Sequence, residues 1–203
     1  MTTSNKPKFK LVGISGTNGA GKDTLAKILV DEYNYFFVSV TDILRNTLIS
    51  QSVTPERKNL RALSISLRQE KGLAVLIDMA IDVYKSQSKT YQGLAVSSLR
   101  NKGESEEIHH LGGVVVWLDA DPNIRYDRIQ QTDANRSLSQ KVADNKTYEQ
   151  FIKEENDEMY PDPSVSAAVG LSMIDVKKQA DYFIDNSLNS LDFLKEEVKK
   201  IFN

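Results

Sequence analysis

From Lys10 to Thr24 the chain reads Lys-Leu-Val-Gly-Ile-Ser-Gly16-Thr17-Asn18-Gly19-Ala20-Gly21-Lys22-Asp23-Thr24, an apolar run, three closely set glycines, then a helical pattern. Few folds accommodate such a segment. Residues without a β-carbon let the backbone curl tightly at positive φ, so that several N–H groups converge on one anion. A helix starting at about Lys22 adds its N-terminal partial positive charge, and the Lys22 ammonium reaches the β- and γ-phosphates of a triphosphate. The spacing Gly16-x-x-x-x-Gly21-Lys22 therefore makes Gly16 to Thr24 a candidate ATP cradle. Asp23 stands where this pattern usually has a hydroxyl residue for magnesium, and Thr24 follows it. A carboxylate is a hard oxygen donor suited to that ion, directly or through water, so Asp23 and Thr24 are candidate metal ligands. The other reading of Asp23 is a first-turn acid that complements the helix dipole.

Around this loop, apolar runs alternate with helical periodicity, as in an α/β fold with a parallel sheet. The candidate strands are Phe9 to Ile14, Tyr35 to Val40, Gly93 to Ser97, Gly113 to Leu118 and Tyr182 to Ile184. Val114-Val-Val-Trp-Leu118 is apolar at successive positions, which predicts a central strand covered on both faces. A long insertion from about Pro55 to Lys85 reads as two helices broken near Gly72, and Pro122 to Gln130 as another helix. The polar stretch 131–146 is a candidate mobile loop. Leu191, Leu194, Val198 and Ile201 form a closing amphipathic helix.

With 203 residues the chain is long enough to bury a core as one domain. Its formal net charge of −2 provides no global attraction to nucleic acid or anionic membrane. The absence of cysteine removes disulfides and thiolate chemistry. No run approaches about 18 apolar residues and no signal-like segment precedes Phe9, so the expected location is cytoplasmic.

In such sheets ligands bind beyond the carboxyl ends of the strands, so residues just after each strand are candidate site residues. Phe36-Phe-Val-Ser-Val-Thr-Asp42-Ile-Leu-Arg45 turns from strand to helix with Thr41 or Asp42 near the helix start. Asp42 is placed to order magnesium waters or accept a proton, and Arg45 to hold an anion. Arg100 follows the third strand, and Arg61, Arg68 and Lys71 lie in the insertion. Several arginines from separate segments suit a dianionic phosphate. Arg125 and Arg128 follow the fourth strand and Arg136 lies in the polar loop. Cationic groups there can neutralise charge on a transferring phosphoryl group. Adjacent His109 and His110 lack helical metal-ligand spacing and read as surface residues.

With these residues in place the chain resembles the nucleotide-kinase branch of P-loop enzymes: adenylate kinases, deoxynucleoside monophosphate kinases and dephospho-coenzyme A kinases. Gly21-Lys22-Asp23-Thr24 is similar to the loop variant of deoxynucleotide kinases, and Asp42-Ile-Leu-Arg45 to the helix start with which adenylate kinases grip a monophosphate. Ala180-Asp-Tyr-Phe-Ile-Asp-Asn186 resembles the C-terminal signature of dephospho-coenzyme A kinases and related archaeal proteins, and implies that Asn186 lies near the adenine. Where that archaeal group has Asp-Gly-x-Arg, this chain has Ser97-Ser98-Leu99-Arg100. The arginine is kept and the acid is not, which shifts the magnesium role to Asp23 and Asp42.

The resulting expectation is a three-layer P-loop NTPase fold, with a five-stranded parallel sheet in a core of residues 8–44, 91–130 and 175–203. Acceptor-binding helices would span 45–90 and a lid 125–150. The expected reaction is ATP- and magnesium-dependent transfer of the γ-phosphoryl group to a nucleoside or deoxynucleoside monophosphate. Lys22, Asp42, Arg128 and Arg136 would act in catalysis, Gly16 to Thr24 with Asn186 would bind ATP, and Asp42, Arg45, Arg68 and Arg100 would bind the acceptor. The partners would be small nucleotides, without nucleic acid or membrane, in a monomer or homodimer. The alternatives are a dephospho-coenzyme A kinase and a non-catalytic ATP-binding regulator.

Overall fold

A computed structural model describes residues 7–132, 146–160, 162, 166 and 169–203. In chain order the elements are β1 (Leu11–Gly16), α1 (Lys22–Tyr33), β2 (Tyr35–Ser39), α2 (Val40–Ser50), α3 (Arg57–Lys71), α4 (Val75–Lys85) and β3 (Gly93–Ser97). They continue with α5 (Lys102–His110), β4 (Val114–Asp119), α6 (Pro122–Thr132), α7 (Tyr148–Met159), α8 (Met173–Lys178), β5 (Tyr182–Asp185) and α9 (Leu191–Phe202).

The five strands form one parallel sheet in the order β2-β3-β1-β4-β5. The glycine-loop strand is thus central, and residues after β1, β3 and β4 emerge side by side at one edge. Two apolar clusters cover the faces, giving three layers. One joins Val12, Ile14 and Val116 to Leu25 and Leu29 of α1 and Leu194 and Val198 of α9. The other joins Val96, Val115 and Trp117 to Leu44, Leu76, Ile108 and Val176. Burial on both faces explains why β3 and β4 are apolar without alternation. The closing helix is fastened by Phe202, which packs edge-on against Phe9 and Tyr35, and each such buried side chain contributes roughly 1.5–3 kcal/mol.

Several boundaries differ from the sequence expectation. β1 starts at Leu11 and runs on to Gly16, while Phe9 serves as an aromatic plug beneath it. Val40 opens α2 instead of closing β2, because the Ser39 hydroxyl accepts from the Asp42 N–H (3.4 Å) and caps the helix two or three residues earlier than expected. The insertion breaks at Gly72, at φ 96°. Helices α7 and α8 were not expected from the sequence. A capping box of Thr147 and Gln150 starts α7. Among the described residues, no helix is long and apolar enough to cross a membrane.

Candidate active site

The glycine loop leaves β1 and enters α1 in the arrangement that phosphate binding requires. Gly16, Gly19 and Gly21 have φ of 139°, 79° and 104°, in the region that favours glycine. A β-carbon on Gly21 would lie 2.6 Å from Asn186 Nδ2, so the loop is also packed too closely for a side chain. Gly21 caps α1 without a side chain, leaving the first-turn N–H groups for an anion. Half-buried Lys22 turns its ammonium back under the loop, donating to Gly16 O (2.9 Å) and Thr17 O (2.7 Å). Burial, reinforced by the Arg100 guanidinium, pushes that ammonium down to about 8, against the opposing charges of Asp23 and Glu158.

A cavity of about 900 Å³ lies over the loop and contains most of the predicted nucleotide residues: Gly16, Asn18, Gly19, Gly21, Lys22, Asp23, Thr24 and Asn186. Thr17 and Ala20 are buried beneath it. A second cavity of about 500 Å³ adjoins it, between α2, α3 and α7. The two share Thr41, Arg45, Ser98, Arg100 and Glu158. Asp42 lies in the first, where it pairs with Arg45 one helical turn later. Thus Asp42, Arg45 and Arg100 do converge at the junction with the glycine loop.

Other predicted residues are placed differently. Arg68 is enclosed, 3% exposed, with its guanidinium held by the buried Glu104 carboxylate (2.6 Å) and the Val169 carbonyl (3.1 Å). It belongs to the frame of the second cavity and is not an open acceptor ligand, because a buried carboxylate already neutralises it. Arg128 lines the nucleotide cavity and donates to Gly19 O (3.2 Å), Asn186 O (2.6 Å) and Asn189 Oδ1 (2.9 Å), so it also clamps the outer rim of the loop. Asn186 lines the nucleotide cavity, yet its side-chain amide donates to Ala20 O (2.9 Å) and anchors the loop. Arg125 is buried: it donates to Ala120 O (2.8 Å) and Asn18 O (3.2 Å) and pairs with Glu155. His109, expected at the surface, is a third exposed and meets Asp181 at 2.9 Å. Arg136 and half of the predicted lid, residues 133–145, lie outside the described residues.

The sequence reading missed Asp119, Glu155 and Glu158. Asp119 ends β4 and accepts from Thr17 Oγ1 of the loop at 2.7 Å. Glu158 accepts from Arg100 at 2.8 Å and lies 3.7 Å from Arg57. The position of Asp119 at a strand end would have drawn attention to it. Nothing local marks Glu158, whose partner is 58 residues away.

The lining suits magnesium in its chemistry: Asp23, Thr24 and Asp42 offer hard oxygen atoms in the nucleotide cavity. Ser97 at the end of β3 also keeps a buried hydroxyl without a hydrogen-bond partner, next to Ser98 of both cavities. Among the described residues there is no group of three acids, histidines or cysteines that alone would hold a metal ion. Such an ion would therefore depend on nucleotide oxygens for the rest of its shell.

A protein-family model described as an AAA domain matches residues 12–158, from the loop strand to the last turn of α7. The chain belongs to this P-loop family. Human adenylate kinase isoenzyme 1 is 27% identical over 130 residues, 60% of this chain and 63% of that protein. A UPF0200 protein of Thermococcus sibiricus is 22% identical over 125 residues, 60% of this chain and 65% of that protein. The chain thus aligns with just under two thirds of the length of these curated relatives. Among solved structures, shikimate kinase from Bacteroides thetaiotaomicron superposes with a TM-score of 0.56 at 16% identity, covering 95% of this chain and 96% of that one. TT1252 from Thermus thermophilus gives 0.55 at 17% identity, covering 95% of each chain. These likenesses establish the P-loop kinase fold of the family member described here.

Proposed function

We propose that this P-loop protein transfers the γ-phosphoryl group of ATP, with magnesium, to a nucleoside or deoxynucleoside monophosphate. The observation that carries the reading is the junction of the two cavities, where Arg45 and Arg100 border both the glycine loop's cavity and the smaller one between α2, α3 and α7. A triphosphate on Lys22 and the α1 amides would direct its terminal group at an acceptor held by these arginines. The resemblance to adenylate kinase favours a phosphate acceptor.

In the reaction the bond between the β,γ-bridging oxygen and the γ-phosphorus breaks and ADP leaves with the electron pair. An acceptor oxygen forms the new bond. A phosphate dianion needs no proton removed, which leaves Asp42 free to order water. A hydroxyl acceptor would instead give its proton to Asp42. Lys22 holds charge on the β- and γ-phosphates, and Arg100 and Arg45 orient the acceptor and screen its charge. Magnesium held by Asp23 and Thr24 would neutralise developing charge on the β- and γ-oxygens. Arg128 is a positioning residue that keeps the loop rim closed.

Arg45→Ala and Arg100→Ala are expected each to raise the acceptor KM by on the order of tenfold or more, with the ATP KM within about twofold. Unchanged acceptor KM in both variants would show that the second cavity is not the acceptor site.

A further inference from the structure

Glu158 sits where the two cavities meet, yet it is a carboxylate among groups suited to bind phosphate. Arg100 donates to it at 2.8 Å and Arg57 approaches within 3.7 Å, while its own side chain is only 14% exposed. Its charge is also felt at the Lys22 ammonium. We propose that Glu158 selects the acceptor by charge: its carboxylate occupies the anion position beside Arg57 and Arg100 in the ligand-free chain, and an acceptor enters by exchanging a phosphate dianion for it.

This rests on the second cavity being the acceptor site, and it gives that site a means of rejecting acceptors that bring no phosphate dianion. A dianion with three acceptor oxygens gains more from two guanidinium groups than a carboxylate does, so it can displace Glu158. A monoanionic carboxylate gains nothing over the group it must replace. A neutral hydroxyl would leave Glu158 in place.

The helix carrying Glu158 is built for such an exchange. Of its twelve residues only Phe151 is fully buried; Tyr148 and Phe151 pack on Tyr126, and Met159 on the second apolar cluster. Ion pairs add to this, from Arg57 on Glu154, Arg125 on Glu155 and Arg100 on Glu158. The two arginines that Glu158 meets are about half and a third exposed, so an incoming anion can reach both and exchange with the carboxylate.

The test is calorimetric titration of methyl phosphate and of acetate, at pH 7.5, into wild type and Glu158→Gln. Wild type is expected to bind methyl phosphate and show no heat with acetate. Glu158→Gln is expected to bind methyl phosphate on the order of tenfold more tightly and to bind acetate measurably. The gain must vanish in the Arg57→Gln, Glu158→Gln double variant, which assigns it to this site and not to the glycine loop. Equal or weaker methyl phosphate binding in Glu158→Gln would overturn the proposal, since a carboxylate that merely orients Arg100 for ligand has that signature. So would a gain that survives in the double variant. Neither titration involves ATP or turnover, so this proposal and the phosphoryl-transfer reading fail separately.

Discussion

Thr17 Oγ1 donates to Asp119 Oδ1 at 2.7 Å, binding the glycine loop to the end of the neighbouring strand β4. Burial alone would raise the Asp119 carboxyl, but the Thr17 hydroxyl, the Ala120 N–H and the charges of Lys177 and Arg125 outweigh it and hold the group below the usual carboxylate range. The contribution of a depressed carboxyl is present above its ordinary pKa and is lost as pH falls through the depressed value. Thr17→Val is expected to lower unfolding free energy by about 1.5 kcal/mol at pH 7, the low end for a bond to a charged group because Asp119 is a third exposed. It should also raise the pH at which acid unfolding begins. Urea and acid titrations followed by circular dichroism measure both; unchanged curves would mean the bond does not constrain the loop.

Lys22 carries a second pH signature. Its ammonium, pushed down to about 8 by burial and Arg100, is partly neutral at pH 8.5 in the free protein. A bound triphosphate favours the charged form, so ATP binding at pH 8.5 should take up protons and weaken as pH rises through 8. Calorimetry in buffers of different ionisation enthalpy reads the uptake directly. It should be absent near pH 6.5 and absent at both values in Lys22→Met.

Two glycines at positive φ separate strain from site geometry. An L-residue at Gly21 costs roughly 1–2 kcal/mol of backbone strain, and its β-carbon would lie 2.6 Å from Asn186 Nδ2. Gly21→Ala should lose at least about tenfold in ATP affinity. At Gly72, φ 96°, an added β-carbon meets nothing within 4 Å. Gly72→Ala should lower stability by a similar strain while ATP affinity stays within about twofold. Equal loss of affinity in both would point to global destabilisation instead of a built cradle.

The Arg68 and Glu104 side chains are 1% and 0% exposed. Removing one partner leaves a buried charge without its counterpart, so Arg68→Met is expected to destabilise the fold by about 3–5 kcal/mol. Denaturation measures it. A stable Arg68→Met protein with only a raised acceptor KM would return Arg68 to the acceptor site.

Local pattern carried much of this architecture. β3 was readable to the residue because five buried positions are bounded by polar sequence, and the glycine loop because its chemistry is contiguous. Helix α7, Tyr-Glu-Gln-Phe-Ile-Lys-Glu-Glu-Asn-Asp-Glu-Met, shows little apolar stripe, since only Phe151 is fully buried and several of its acids pair with distant arginines. Partnerships across the fold were the other blind spot. Arg68 looked available because Glu104 lies 36 residues on, and Asp119 is 102 residues from Thr17. Such pairs arise only when the fold brings strand ends and helix ends together.

The central claim is that ATP in the glycine-loop cavity is turned over onto a phosphate acceptor in the adjoining one. The direct measurement is ADP formation with magnesium against ribo- and deoxynucleoside monophosphates and dephospho-coenzyme A, with Lys22→Ala alongside. The account predicts ADP formation that depends on one or a few monophosphates and vanishes in Lys22→Ala. Turnover on dephospho-coenzyme A alone, or ATP binding without turnover on any acceptor, would contradict it.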